Sequence, residues 1–348
     1  STLFPYTTLF RSKTEKQLIF IIMVVVGVMS GFLSNTGTAA VLIPVVIGVA
    51  AKSGFTRSRL LMPLVFAAAL GGNLSLIGAP GNLIAQSALQ NIGSGFGFFE
   101  YAKVGLPMLV CGILYFLTIG YKFLPNNSNS SEVGSIGEQR DYSHVPRWKQ
   151  ILSLVVLIAT ILGMIFEKQT GISLTVAGCI GALVLVITGV LTEKQAYKAI
   201  DSQTIFIFGG TLALAKALEM TGAGKLVADQ VIGLLGNNSS PFMLLVVVFA
   251  LSVVMTNFMS NTATVALLVP VSLSIAAGMG ADPRAVLMAT VIGSSCAYAT
   301  PIGMPANMMV LSAGGYKFVD YAKSGIPLII VSTIVSLILL PILFPFHP

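Results

Sequence analysis

Charge is scarce in this sequence. Asp, Glu, Lys and Arg together make up 9% of 348 residues, against about 25% in an ordinary soluble protein. A soluble fold of this length needs a polar surface that so few charges cannot provide. With hydrophobic residues at 55% and a mean hydropathy of +0.91, a lipid bilayer is the solvent that fits. Histidine is nearly missing: His144 sits in a polar stretch and His347 at the C-terminal end. Cysteine is sparse too. Cys111, Cys179 and Cys296 lie far apart in apolar stretches, with no metal spacing and no disulfide framework, and read as small buried hydrophobes. HExxH, GxSxG and the P-loop are absent, and no Ser–His or paired-Asp site lies in an apolar run. Gly93–Gly97 is Gly-rich but lacks the strand–helix context of a nucleotide loop. An enzyme is not expected. Nor does the net charge of +7 point to nucleic acid, because the basic residues stand singly at the ends of apolar runs.

Apolar runs are what the sequence does have, and several are shorter than the about 20 residues needed to span a bilayer. The short ones flank Ser-Asn-Thr and Gly-Pro clusters, a pattern of re-entrant hairpins and broken helices around a cavity. The expected fold is an all-α polytopic membrane protein. Residues 1–12 (STLFPYTTLFRS) look like translated adapter rather than native chain. A first repeat is expected over 13–124, a polar cytoplasmic linker over 125–147 and a second repeat over 148–348.

The repeat is written in matched blocks. Ser34-Asn35-Thr36-Gly37-Thr38 followed by Leu42-Ile43-Pro44-Val45 matches Ser260-Asn261-Thr262-Ala263-Thr264 followed by Leu268-Val269-Pro270-Val271. Ile77-Gly78-Ala79-Pro80-Gly81-Asn82 matches Ile302-Gly303-Met304-Pro305-Ala306-Asn307. Tyr101-Ala102-Lys103-Val104-Gly105-Leu106-Pro107 matches Tyr321-Ala322-Lys323-Ser324-Gly325-Ile326-Pro327. Order and spacing are nearly kept, at offsets of roughly 220 to 226 residues. Symmetry between the halves also implies about 80 to 90 further residues upstream, so the chain reads as N-terminally truncated.

Basic residues gather at Lys13 and Lys16, at Lys52, Arg57 and Arg59, from Lys122 to Lys149, at Lys194 and Lys198, and at Lys317 and Lys323, whereas Gly236–Ser240 carries none. The positive-inside rule then puts the first hairpin on the cytoplasmic side and the second on the external side, an inverted repeat. Lys103, Lys168 and Arg284 fall outside under this assignment.

Each Ser-Asn-Thr heads an apolar helix. Capping alone could explain one copy; two copies at equivalent positions point to a site. A helix N-terminus inside a membrane offers free N–H groups and a positive dipole end to an anion. The same segments suit sodium, which wants hydroxyl, amide and free backbone oxygens. Ser30 and Thr256 precede the two tripeptides by four residues. Gly78 and Gly303 lie at turns ahead of Pro80 and Pro305 that break the following helix, where a missing N–H would free a carbonyl one turn back; a simple kink is the lesser alternative. No carboxylate lies near either tripeptide, so proton coupling is disfavoured. Lys216 and Glu219 read as a surface pair at the end of a run.

These motifs resemble the divalent anion:sodium symporter family, whose signature is the paired Ser-Asn-Thr tripeptide, within a superfamily of citrate-transporter-like permeases. The resemblance implies a sodium-coupled importer of a small anion (dicarboxylate, citrate or sulfate-like) in the cell's inner membrane. It implies a homodimer working by an elevator motion, with no cofactor beyond coupling sodium. It assigns the anion to Ser34, Asn35, Thr36, Ser260, Asn261 and Thr262, with the turn residues Ala79, Pro80, Met304 and Pro305. It assigns one sodium to Ser30, Ser34, Asn35 and Gly78, and a second to Thr256, Asn261 and Gly303. Dicarboxylate carriers commonly have a hydroxyl residue where this chain has Ala79 and Met304, which leaves sulfate-like anions open. An antiporter of the same superfamily and a non-transporting anion sensor are the alternatives.

Overall fold

The computed structural model describes residues 14–127 and 145–346, except 201 and most of 224–240. The segment 1–12, most of the linker (128–144), His144, His347, residues 236–240 and the side chains of Lys168, Lys216 and Glu219 lie outside the described residues. Within them, the regular structure is helical. One compact unit draws on 138–206 and the other on 5–137 with 207–348.

The larger unit holds two hairpins and two broken helices. α1 (Glu15–Ser30) and α2 (Asn35–Ser53) form the first hairpin. α3 (Arg57–Gly71) stops at an irregular stretch before α4 (Pro80–Gln90), and α5 (Ala102–Leu117) returns. A 3₁₀ turn follows at Gly120–Phe123. The smaller unit contains α6 (Arg147–Ile165), α7 (Glu167–Thr170), α8 (Leu174–Ile187) and α9 (Glu193–Ala199). α10 (Ser202–Thr221) follows. The second hairpin is α11 (Pro241–Thr256) and α12 (Asn261–Met279). The second broken helix is α13 (Pro283–Ser294) with α14 (Pro305–Ala313), and α15 (Phe318–Leu343) closes the pattern. The blocks matched in sequence therefore occupy matched elements.

Local chemistry sets the hairpin tips. α1 and α11 have 16 residues each, about 24 Å of helix against a hydrocarbon core of about 30 Å. Each turns back before crossing. Ser34 and Ser260 restart the chain as N-caps, accepting from Gly37 N at 3.1 Å and Ala263 N at 3.2 Å. α2 and α12 both end on a left-handed glycine, Gly54 (φ +73°) and Gly280 (φ +64°).

The hairpins open towards opposite ends of this unit. At one end, Arg59 on α3 pairs with Glu15 on α1 at 2.8 Å, and the Tyr121 hydroxyl donates to the same carboxylate. That bond to Glu15 holds the Tyr121 pKa above its usual value. Tyr316, past the end of α14, donates to Ser58 O at 2.6 Å. At the other end, Arg284 at the start of α13 pairs with Glu100 ahead of α5. There Asp282 N also donates to Phe346 O at 2.8 Å, beyond α15. Lys16, Lys52, Arg57, Arg59, Lys122, Lys317 and Lys323 belong to the first end, and Lys103 and Arg284 to the second. This is the charge asymmetry of a membrane protein with inverted repeats.

Lipid-facing surface is plain on α15. Ile326, Ile330, Ile334, Ile338 and Ile342 recur at four-residue spacing and are all more than half or about half exposed, while Tyr321, Leu328, Ser332, Ser336 and Leu340 face inward. In the smaller unit, α6 buries only Val156, and α8 only Ala177 and Gly181. Their broad apolar faces require a bilayer or further protein around them.

Candidate functional site

The first hairpin tip meets the first helix break. Ser30, at the end of α1, places its Oγ 2.8 Å from Asn35 Oδ1 and 2.7 Å from Ala68 O on α3. Gly78 O lies 3.2 Å from the same amide of Asn35. With Oδ1 turned inward, the amide presents an oxygen to three other oxygens. Turned the other way, Nδ2 stands 3.0 Å from Ala68 O, 2.8 Å from Ser30 Oγ and 3.2 Å from Gly78 O, and its two hydrogens with that of Ser30 satisfy the group. The Ser30 hydroxyl has a single hydrogen and cannot serve two acceptors at once.

The second repeat builds the same group. Thr256 Oγ1 lies 2.9 Å from Asn261 Oδ1 and also bonds Ser294 O on α13. Again one hydroxyl hydrogen stands among three oxygens. Ser30 and Thr256 are fully buried and Asn35 nearly so. Gly303 packs on this group: a Cβ there would lie 2.6 Å from Thr256 O.

Not every expected residue joins these clusters. Ser34 Oγ is taken by the Gly37 N–H and the residue is exposed. Ser260 Oγ is taken by the Ala263 N–H and the residue is half-buried. Thr36 and Thr262 are half-buried, on helix N-termini whose backbone N–H groups are open-ended. The tripeptides are thus two-sided, with Asn35 facing the oxygen cluster and the serine and threonine more accessible. Ala79 and Met304 are buried immediately before the broken helices resume. Met304 Sδ lies 3.8 Å from Asn35 Nδ2, which brings the second repeat's turn to the first repeat's tripeptide. α4 packs on α12 and α14 on α2, so each turn meets the opposite hairpin.

The helices break at Pro80 and Pro305 as expected, but the source of the site's carbonyls differs from the sequence reading. Each proline is the first residue of a new helix, where its N–H would be unpaired anyway. The site's carbonyls come instead from the last turns of α3 and α13 (Ala68 and Ser294) and from the irregular stretch 72–79 (Gly78). The carbonyls of Ala68 and Ser294 were also missed, because a backbone oxygen leaves no mark in a sequence. Among the described residues, no cluster of His, Cys, Asp or Glu could hold a metal ion.

Comparison with known proteins agrees with this architecture. The citrate transporter family profile matches residues 7–289 and 161–346. The uncharacterized transporter MJ0672 of Methanocaldococcus jannaschii is 30% identical, over 95% of this chain and 74% of its own length. The sodium-dependent dicarboxylate transporter SdcS of Staphylococcus aureus is 25% identical, over 93% and 68% respectively. In structure, the YdaH transporter of Alcanivorax borkumensis superposes with a TM-score of 0.67 at 18% identity, covering 99% of this chain and 82% of that one. The matching family and relatives are transporters, not enzymes, and the re-entrant hairpins and broken helices of this multi-pass fold agree with that. The chain belongs to the citrate transporter family.

Proposed function

We propose that the protein is a sodium-coupled symporter of a small anion, a dicarboxylate, citrate or sulfate-like species. The observation that carries this reading is the convergence of oxygens at both hairpin tips: Ser30 Oγ, Ala68 O and Gly78 O around the Asn35 amide, and at the second tip a single Thr256 hydroxyl hydrogen facing both Asn261 Oδ1 and Ser294 O. A hard monovalent cation placed there satisfies every oxygen at once. Sodium dependence in the name of the similar SdcS protein supports the same choice.

Ser30, Asn35, Ala68 and Gly78 would hold one sodium; Thr256, Asn261 and Ser294 would hold the second, with Gly303 closing its wall. Ser34, Thr36, Ser260 and Thr262, with the N-termini of α2 and α12, would receive the anion. Two helix dipoles and two bound cations make that place electropositive without a lysine. Ala79 and Met304 give the anion no donor, which favours a compact oxyanion over a long dicarboxylate.

Both hairpins and both broken helices belong to one compact unit. This supports an elevator cycle in which that unit carries the site across the membrane, in a homodimer of the inner membrane. The first hairpin would be cytoplasmic and the second external. The test is uptake of labelled succinate, citrate and sulfate by the reconstituted full-length protein, with and without an inward sodium gradient. Sodium-stimulated uptake of one of them is expected. Uptake that ignores sodium and follows a proton gradient would favour an antiporter, and saturable binding without flux a sensor.

A further inference from the structure

Breaking a helix inside a membrane strands backbone carbonyls, and each needs a donor. In this protein one asparagine per break supplies them. Asn82 Nδ2 donates to Gly72 O at 3.0 Å and Ser75 O at 2.8 Å. Asn307 Nδ2 donates to Ala297 O at 2.9 Å and Thr300 O at 3.0 Å. Both side chains are fully buried. A primary amide has two hydrogens on its nitrogen, so each amide is fully used as a donor. Its Oδ1 is left without a partner in both copies. Turning the amide would set that oxygen against two carbonyls, so the carbonyls fix its orientation even though the orphan oxygen is unfavourable. Each asparagine is held in turn by a buried tyrosine: Tyr101 OH donates to Asn82 O at 3.3 Å, and Tyr321 OH to Asn307 O at 2.6 Å.

The clamps reach the oxygen clusters by direct packing. Gly78 sits so close to the carbonyl that Asn82 holds that a Cβ would lie 2.5 Å from Gly72 O. Gly78 O is itself a member of the first cluster. In the second repeat, a Cβ on Gly303 would lie 2.9 Å from Ala297 Cβ and 2.6 Å from Thr256 O. Asn307 therefore fixes the residue that wedges Gly303 against Thr256.

We propose that Asn82 with Tyr101, and Asn307 with Tyr321, are positioning pairs that fix the cluster oxygens and so set the affinity for sodium, without touching the ion. This rests on the sodium reading of the two clusters. A loosened break lets the Gly78 or Thr256 backbone move out of register, and a small hard cation is sensitive to such shifts.

The test compares the full-length parent with Tyr101→Phe, Tyr321→Phe, Asn82→Ala and Asn307→Ala, reading anion uptake against sodium concentration. The tyrosine variants remove one hydroxyl each and keep the ring, so they remain informative if the asparagine variants do not fold. Loss of one such hydrogen bond should raise the half-saturating sodium concentration about threefold or more. Tyr321→Phe should show the larger shift, because its bond is the shorter one. The KM for the anion at saturating sodium should change less. A lower rate at every sodium concentration, with unchanged half-saturation, would mean a merely structural role and overturn the inference alone. A parent whose uptake ignores sodium would overturn both the inference and the reading beneath it.

Discussion

At the scale of single residues, the two hairpin tips are built by substitution-sensitive contacts. Gly78 and Gly303 have no room for a methyl group, since a Cβ would stand 2.5 and 2.6 Å from a carbonyl oxygen. Gly78→Ala should destabilise the fold by about 1–3 kcal/mol or more, measured as a lower Tm in detergent. Gly72 is equally confined, with a Cβ 2.4 Å from Asn35 Oδ1. Ser30→Ala removes the one hydroxyl hydrogen of the first cluster and Thr256→Val that of the second. Each variant should bind sodium more weakly, with half-saturation rising by about tenfold for a lost contact of about 1.4 kcal/mol; an unchanged sodium dependence in both would argue against the clusters as ion sites. Ala79 is buried, so Ala79→Arg should block uptake and also lower Tm, because the charge has no partner there among the described residues. The asparagine pair Asn35 and Asn261 was legible in the sequence because side chains repeat visibly. Ala68 O and Ser294 O were not, because any residue offers a carbonyl and only the fold says which one is aimed inward.

At the scale of elements, the repeat in sequence became a repeat in geometry. Two 16-residue helices turn back, two serines cap the return, and two prolines restart the broken helices. Hydrophobic period and motif order sufficed to find these. What the sequence concealed is how the elements approach. α1 and α3 cross where Gly27 and Gly71 touch, a Cβ on Gly71 falling 2.1 Å from Gly27 O. Neither glycine stands in a motif, so neither drew notice. The breaks at the prolines were legible, but that each proline is the first residue of the next helix was not, because a proline ahead of a helix and one within it look alike in a sequence. Cap removal by Ser260→Ala should cost about 1 kcal/mol of stability, read by thermal unfolding. The Glu15–Arg59 pair, with both side chains mostly buried (14% and 16% exposed), joins α1 to α3. Glu15→Ala leaves Arg59 without this partner and should destabilise by about 1.5–3 kcal/mol.

At the scale of the whole molecule, the two hairpins open towards opposite ends of the larger unit, which the proposed alternating-access cycle would use to expose the site to each compartment in turn. The proposed sides follow the charge pattern. In a cysteine-free background, a membrane-impermeant thiol reagent should reach Lys52→Cys from the cytoplasmic side only and a cysteine at Gly280 from the external side only. Labelling of both from one side would contradict the inversion. Family membership rests on the matching family profile and relatives, whereas the coupling ion rests on the oxygen clusters. The most direct test of that central claim is thermal stability of the purified full-length protein in sodium, potassium and choline chloride. Sodium alone should raise Tm in a saturable way, by the linkage that stabilises any folded state which binds a ligand. Asn35→Ala combined with Asn261→Ala should abolish the effect. A Tm that is the same in all three salts, or a sodium effect that survives in the double variant, would contradict the account.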